Sequence, residues 1–539
     1  MLKITHKYVI ITGGVMSGLG KGLLAASLAK LLEASGFSVL PIKFDGYLNM
    51  DAGTINPYKH GEVYVLDDGT ETDMDLGEYE RFLNKSLYSI SSLTGGRIFH
   101  DIIEKERKGE FLGQDVQFIP HVTNEIISWI RQKDNSVDIT MVEIGGTVGD
   151  IENAYFIEAM RQLSLRVEQD NVCWIHVTLI PFLSVVGEQK SKPTQASVKT
   201  LQGMGVQPDI LLCRSEKPLN REVREKIALF CNVSLSNVIS GYDIPIIYNY
   251  PFQLLQEEIL TSVFTKLKVG PRKVPTLENW KKLVDGIENP KGEINVGIGG
   301  KYTQLGDAYI SITKALTHAG AYLQLKVNTI FIETTSLEEK SVEEDLKRCD
   351  GIIIPGGFGQ RGIEGKIKLI KKIREESYPF LGICLGLQCA IIEYARNVCG
   401  MKDANSTEFK DNTPYPVIDL LPSQRKVYRK GGTMRLGSYP VKIKEGTLAN
   451  RIYNKDIIQE RFRHRYEVNP DYVSDLESNG FIFSGTSDDG SVVHIGELSN
   501  HPFFIGTQYH PEFLSRFENP SEIFKAFVQS CFEYKKRKK

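Results

Sequence analysis

The stretch Leu381-Gly-Ile-Cys-Leu-Gly-Leu-Gln388 sets Cys384 between two glycines, where a short apolar run gives way to a helical pattern. G-x-C-x-G is the sulfur form of a nucleophile elbow. Its glycines permit a turn tight enough to lift the side chain out of the fold. A cysteine at a helix N-terminus has its thiolate favoured by the helix dipole. Such a nucleophile needs a base, and the base needs an orienting acceptor. Tyr509-His-Pro-Glu-Phe513 offers both, His510 and Glu512, if the Pro511 turn folds them to one side. Backbone N–H groups at Pro355-Gly-Gly-Phe-Gly359 and at Leu385 can form an oxyanion hole. Cys389 and Cys399 are expected inside the following helix as core residues. Each piece alone has an ordinary structural reading; together, in this order on strand–helix units, they point to a cysteine nucleophile with its base and oxyanion hole.

A second constellation lies near the N-terminus. Thr12-Gly-Gly-Val-Met-Ser-Gly-Leu-Gly-Lys-Gly22 falls between a strand pattern and a helix pattern. Glycines there let backbone N–H groups converge on phosphate oxygens, and Lys21 adds a charge at the helix start. The loop departs from a strict Walker A: Gly14 and Gly20 are separated by five residues rather than four, and position 22 is Gly rather than Ser or Thr. Other oxygens must then hold a magnesium ion. Asp75, in an acidic loop, and Glu143, at the end of an apolar strand pattern, are the candidates. A third stretch, Gly187-Glu-Gln-Lys-Ser-Lys-Pro-Thr-Gln195, offers Lys190, Lys192 and several hydroxyl and amide groups to a second phosphate-bearing ligand.

The elements that must position these groups alternate between short apolar runs and helical patterns. Strands are expected at residues 8–12, 39–44, 139–144, 172–178 and 210–213, with a helix at 21–34. Runs apolar on both faces, alternating with helices, indicate a parallel sheet covered on both sides. Residues 44–82 break the pattern: ten acids stand against Lys59 and Arg81, with no clear period. Residues 270–292, with three prolines and three glycines, read as a linker. The alternation then restarts, with strands at 294–298, 327–332, 351–355 and 380–384 and helices at 308–319 and 385–398. After residue 436 the pattern becomes richer in strands and ends in a helix near 520–534. The expected organisation is therefore two α/β domains, 1–269 and 293–539, joined by 270–292.

Composition narrows the function. With 65 Lys and Arg against 67 Asp and Glu, the 539-residue chain has no basic excess to favour nucleic acid. No apolar stretch reaches the roughly 20 residues of a membrane span, and no signal peptide is visible. Eight cysteines without a C-x-x-C pair suit a reducing cytoplasm rather than disulfides or zinc. The basic tail Lys535–Lys539 reads as a frayed, solvated end.

The C-terminal half resembles the class I glutamine amidotransferases through PGGFG at 355–359, GICLGLQ at 382–388 and YHPEF at 509–513. The whole chain resembles the CTP synthase family. The matches run end to end: TGGVMSGLGKG, the 49–82 loop with HGEVYV and ETDMDLGEYERF, VEIGGTVGDIE, KSKPTQ, ALFCNV, ANSTEF, GGTMRLG and RHRYEVN. The resemblance implies a P-loop-type parallel-sheet amidoligase domain followed by an α/β glutaminase. The implied reaction phosphorylates the 4-oxygen of UTP with ATP, and ammonia from glutamine then displaces the phosphate to give CTP. It also implies Mg2+, GTP as allosteric activator, CTP as product inhibitor, and a homotetramer.

By resemblance, Cys384, His510 and Glu512 match the catalytic triad. Gly357, Leu385, Gly386, Leu387, Gln388, Glu408 and Arg465 match glutamine-binding positions. Gly18, Leu19, Gly20, Lys21, Gly22, Leu23 and Asp75 match the ATP site, and Asp75 and Glu143 the metal site. Ser17, Asp150, Ile151, Glu152, Lys190, Ser191, Lys192, Pro193, Thr194, Gln195 and Lys226 match pyrimidine-nucleotide positions. Arg361 and Gly431–Gly437 match a region linked to GTP. Two departures stand out: Ser17-Gly18 where many members have two serines, and Phe44-Asp-Gly46 where most have Asp-Pro. Two alternatives share features of this pattern: a cobyrinic-acid-type amidoligase acting on a carboxylate, and a non-catalytic nucleotide-responsive scaffold. KSKPTQ and the 44–82 loop favour the nucleotide reading over the first, and intact catalytic positions disfavour the second.

Overall fold

A computed structural model of the chain describes residues 6–56, 61–185, 187–301, 306–420, 424 and 432–538. It contains two compact units. The first holds the residues up to Asp51 together with Glu78–Glu278, and the second holds Ala52–Gly77 together with Asn279–Lys539.

The first unit is built on a seven-stranded sheet. Its strands lie in the order Val238–Tyr242, Ile210–Ser215, Val172–Leu179, Lys7–Gly13, Ile139–Ile144, Val39–Asp45, Ser92–Thr94. All pairings are parallel. The central strand Lys7–Gly13 is buried along its whole length, as its apolar sequence requires of a strand covered on both faces. Ile10, Ile42 and Val142 pack with Phe156 and Leu163 of the helix Ile151–Arg166. Phe44 and Phe156 stack at 4.7 Å between ring centres.

The second unit carries a nine-stranded mixed sheet. Leu325–Glu333, Gly292–Gly300, Gly351–Ile354, Phe380–Ile383 and Phe504–Thr507 run parallel. Val493–Leu498, Phe481–Thr486, Arg435–Ile443 and Ile457–His464 continue the sheet antiparallel. The strand-rich pattern after residue 436 is this antiparallel extension.

The structure adds detail to the acidic stretch and the linker, and corrects two local expectations, the basic tail and Cys399. The acidic stretch contributes Ala52–Gly77 to the second unit. Tyr64–Val65 pairs with Glu71–Thr72 as a short hairpin, and Arg461 and Arg463 of the strand Ile457–His464 hold it. An acidic hairpin matched to arginines on a distant strand leaves no local period to read. Residues 57–60 and 431 lie outside the described residues. The stretch read as a linker contains the helix Glu278–Glu288, with Trp280 fully buried and 4.6 Å from the Phe517 ring. The basic tail is helical through Lys538, and Lys535 Nζ donates to the Glu293 carbonyl at 2.9 Å. Cys399 falls just past the end of the helix Leu385–Asn397 and is half-buried. Among the described residues no helix is long and apolar enough to cross a membrane.

Truncating Trp280 leaves a large cavity, so Trp280→Ala should destabilise the second unit by about 3–5 kcal/mol. Denaturant unfolding of wild type and variant measures this. A change below about 1 kcal/mol would mean that the helix contributes little to that core.

Candidate functional site

The nucleophile turn is a backbone constraint first. The strand Phe380–Ile383 ends at Cys384, and the helix Leu385–Asn397 starts at once. Cys384 takes φ 52° and ψ −102°, a region that side-chain-bearing residues rarely adopt. Both flanking glycines are needed. A Cβ on Gly382 would lie 2.8 Å from the Gly386 carbonyl carbon, and one on Gly386 would lie 2.1 Å from the Ile354 oxygen. The Cys384 N–H donates to the Thr507 carbonyl at 2.6 Å, which pins the turn to the next strand.

The base follows the adjacent parallel strand, Phe504–Thr507. The His510 N–H donates to the Arg461 carbonyl at 2.8 Å. His510 Nδ1 donates to Glu512 Oε1 at 2.7 Å, so the Pro511 turn does fold the pair to one side. Phe513 stacks on the imidazole at 4.9 Å. A Cβ built on Gly356 would lie 3.6 Å from both Cys384 Cβ and His510 Nε2, so the nucleophile and the free face of the base share one small space. Burial works against a charged His510. The Glu512 carboxylate and the Cys384 sulfur outweigh it and push the imidazole up to about 10. An imidazolium beside a sulfur is the resting arrangement of a cysteine nucleophile.

A cavity of about 320 Å³ opens on this turn. Cys384, His510, Glu512, Gly357 and Arg465 line it, joined by Arg463. The hairpin segment contributes Gly53–Ile55, Glu62 and Val63 to the same wall. Leu385 reaches its side chain toward Gly357, whereas Gly386, Leu387 and Gln388 are buried behind the turn. Gln388 donates to the Tyr466 carbonyl at 2.8 Å and to Gln508 Oε1 at 3.1 Å, so its side chain braces the core. Glu408 accepts from the Gly359 N–H at 2.7 Å, Lys301 Nζ donates to the Phe358 carbonyl, and Arg361 donates to the Lys301 carbonyl at 2.6 Å. These contacts fix the 355–359 loop from both sides. Arg465 is held by Gln424 Oε1 at 2.6 Å and by Thr433 Oγ1 at 3.1 Å.

Sequence reasoning missed several residues here. Gln508 donates to Cys384 Sγ at 3.5 Å, and Arg463 joins the cavity while pairing with Glu71 at 2.8 Å. Both sit inside matched motifs or beside them, next to residues that drew attention for chemistry. The hairpin's part in the cavity had no local signal.

In the first unit the glycine loop follows the central strand. Gly18 (φ 75°) and Gly20 (φ 82°) take left-handed conformations, so a serine at 18 would be strained in this loop. Lys21 lies over Gly13, where a Cβ would be 2.8 Å from its Cδ, and its Nζ donates to the Gly146 carbonyl at 2.7 Å. Gly22 and Leu23 continue the helix Lys21–Ala34, and Leu19 is buried beneath the loop. Beside it His176 is fully buried between Thr12 Oγ1 (2.9 Å) and Ser197 Oγ (2.7 Å); burial and the nearby Lys21 charge hold it down to about 3. His176 was not foreseen, because a histidine inside an apolar strand reads as core.

Glu143 ends the strand Ile139–Ile144 and is 2% exposed. Lys43 Nζ donates to its Oε1 at 2.9 Å, and the Tyr79 hydroxyl donates to its Oε2. A carboxylate has about four lone-pair sites, so these two bonds leave lone pairs with which Glu143 would be able to hold a magnesium ion. Among the described residues no group of three His, Cys, Asp or Glu side chains forms a metal cage. A lysine inside the apolar run Val39–Asp45 was the overlooked signal for Lys43. Asp75 sits in the first turn of the helix Met74–Leu83.

Ser17, Asp150, Ile151 and Glu152 are exposed. The Asp150 carboxylate accepts from the Thr147 N–H at 2.9 Å, at the start of the helix Ile151–Arg166. A Cβ on Gly46 would lie 2.5 Å from the Glu152 carbonyl oxygen, so glycine suits the close approach there. Lys190 pairs with Glu188, and Lys226 from the helix Arg221–Cys231 also draws that carboxylate's pKa down. Lys192 lies 5.8 Å from the Phe230 ring of the same helix. The structure thus brings Lys190, Lys192 and Lys226 to one locality. Pro193 opens the helix Lys192–Gly203; Ser191, Thr194 and Gln195 are buried at its start, where Gln195 donates to Ser191 Oγ at 3.0 Å.

Two family models match the chain. The CTP synthase N-terminus family matches residues 7–269, and the class I glutamine amidotransferase family matches residues 304–530. A CTP synthase of Methanocaldococcus jannaschii is 52% identical over 530 residues, covering 97% of this chain and 98% of that one. A CTP synthase of Caldanaerobacter subterraneus is 51% identical over 531 residues, covering 98% and 99%. The glutaminase domain of a Trypanosoma brucei CTPS, solved with bound acivicin, is 35% identical with a TM-score of 0.42 and covers 44% of this chain and 94% of that one. With both family matches in place and relatives that align along nearly its full length, this chain belongs to the CTP synthase family, glutamine-dependent ligases that carry a class I amidotransferase domain.

Proposed function

We propose that this chain aminates UTP to CTP with ATP, drawing ammonia from glutamine that its own Cys384–His510–Glu512 triad hydrolyses. The observation that carries the reading is the triad itself: a strained cysteine turn facing an imidazole that is held by a buried carboxylate at 2.7 Å. With the thiol proton already resting on His510, the Cys384 sulfur attacks the glutamine carboxamide carbon. The N–H groups of Gly357 and Leu385 receive the oxyanion. His510 then gives its proton to the departing ammonia, leaving a thioester that water resolves. Gly357, Leu385, Gly386, Leu387, Gln388, Glu408 and Arg465 bind the glutamine.

In the first unit, the Gly18–Leu23 loop with Lys21 receives the ATP phosphates. Ser17, Asp150–Glu152, Lys190–Gln195 and Lys226 receive the pyrimidine nucleotide. Glu143 holds Mg2+, and the resemblance adds Asp75. A magnesium ion held there would supply positive charge to the transferring phosphoryl group. Lys21 supplies charge from the loop and so acts on formation of the 4-phosphorylated UTP. The same reading includes GTP activation through Arg361 and the 431–437 region, CTP as product inhibitor, a homotetramer and a cytoplasmic location. KSKPTQ and the 44–82 stretch favour the nucleotide substrate over a carboxylate amidoligase.

Three outcomes test this reading. Cys384→Ala should reduce glutamine-dependent CTP synthesis to background and keep ammonium-dependent synthesis within a few-fold of wild type, because no other nucleophile serves the amide. Retained glutamine-driven activity would make Cys384 a core cysteine. Lys21→Ala should abolish CTP formation from either nitrogen source, by about 10²-fold or more; near-wild-type ammonium activity would remove the loop from the ligase step. Glu512→Gln should let the imidazolium lose its proton at lower pH, because the charge that raises His510 is gone while burial remains. Alkylation of Cys384 by a glutamine-like chloroketone, followed against pH, should then lose its imidazolium-assisted rate well below about pH 10. An unchanged profile would mean that Glu512 does not set the His510 charge.

A further inference from the structure

Glu460 lies on the strand Ile457–His464 and is 6% exposed. This strand is the wall on which the catalytic segment rests, since the Arg461 carbonyl receives the His510 N–H. Side chains alternate along a strand. Arg461 and Arg463 turn toward the hairpin at Tyr64–Glu71. Glu460 falls on the other face with Phe462, whose ring meets Tyr509 at 5.8 Å.

Two buried carboxyl oxygens in this region have no hydrogen-bond partner among the described residues: Glu460 Oε2 and Glu512 Oε2. Glu512 commits its other oxygen to His510. A buried carboxylate oxygen without a partner is costly, and a native fold normally supplies it with a donor. A neutral carboxylic acid is such a donor, and a carboxylate is not.

The surroundings favour that neutral acid. Burial first, and then the charge of Glu512, raise the Glu460 carboxyl to about 8, while Arg461 opposes them. Tyr509 faces it from the catalytic segment and Tyr453 from the helix Leu448–Tyr453. Their hydroxyls bond each other at 2.9 Å, and burial holds both far above the ordinary range. Tyr439 stands opposite Glu460 in the strand register.

We infer that Glu460 is a positioning residue behind the triad, whose carboxylic acid donates to Glu512 Oε2, directly or through one buried water, and so keeps Glu512 aligned on His510. The inference rests on the triad reading above. When Glu460 ionises, its proton leaves to solvent. Glu512 Oε2 then loses its donor and faces a second carboxylate. The folded carboxyl titrates above its ordinary value, so the neutral form belongs to the intact site and the penalty appears as pH rises through that value. Glutamine hydrolysis therefore falls in mildly alkaline solution for a reason outside the triad.

Glu460→Gln keeps a donor and cannot ionise. In the full-length chain, with UTP, ATP and Mg2+ present, kcat/KM for glutamine hydrolysis is compared at about pH 7 and about pH 9.5. The ratio of alkaline to neutral activity should be at least about threefold higher in the variant than in wild type. Equal ratios would overturn the inference. A second measurement needs no turnover. The infrared difference between wild type and Glu460→Gln should show a carboxylic C=O band at neutral pH that disappears on alkaline titration. Should that variant not fold, the same band should shift in Glu460→Asp. Absence of the band at neutral pH would overturn the inference, whereas a wild type that hydrolyses no glutamine yet shows the band would count against the triad reading alone.

Discussion

The left-handed backbone at Cys384 is the constraint on which the second unit turns. A side-chain-bearing residue held at φ 52° costs on the order of 1–3 kcal/mol. The surrounding structure over-determines it. Gly382 and Gly386 permit the close packing, the Thr507 carbonyl takes the Cys384 N–H, and the helix Leu385–Asn397 starts without a spacer. Replace either glycine and a methyl group meets backbone at under 3 Å. The strain points the sulfur at the space shared with His510.

The electrostatics follow from that placement. Three ionisable groups, Cys384, His510 and Glu512, are each less than 10% exposed. Burial alone would discharge the histidine, as it does His176 and His494, both held down to about 3. His510 goes the other way because a carboxylate touches it. The same chain thus contains buried histidines tuned in opposite directions, and the deciding difference is the hydrogen-bonded acid. The Tyr64 hydroxyl donates to the Phe513 carbonyl at 2.6 Å, next to Glu512, so the acidic hairpin also supports the catalytic segment.

Local spacing made much of this legible. The elbow, the His-Pro-Glu turn and the glycine loop are short motifs whose geometry follows from adjacent residues. The central strands were readable because burial on both faces demands unbroken apolar runs. What sequence could not show was partnership across distance. The hairpin at Tyr64–Thr72 has meaning only opposite Arg461 and Arg463, nearly 400 residues away. The helix Glu278–Glu288 was hidden by the prolines and glycines around it, although Trp280 and Val284 at helical spacing carried its buried face. Gln388 was named through the family motif, and its side-chain bonds to the Tyr466 carbonyl and Gln508 join residues too far apart in sequence to be read locally. Lys43 stood out as a lysine in an apolar run, but its pairing with Glu143, and that of Tyr79, could not be read: a buried charge announces that a partner exists without naming it.

The central claim is that the nitrogen of CTP comes from glutamine hydrolysed on the strained turn of the same chain. Its most direct measurement supplies the purified protein with UTP, ATP, Mg2+ and glutamine carrying a heavy amide nitrogen, beside unlabelled ammonium at equal concentration, and reads the isotope in the CTP formed. The account predicts CTP labelled well beyond the share that mixing with free ammonium would give. CTP carrying only unlabelled nitrogen, with the glutamine left intact, would contradict it.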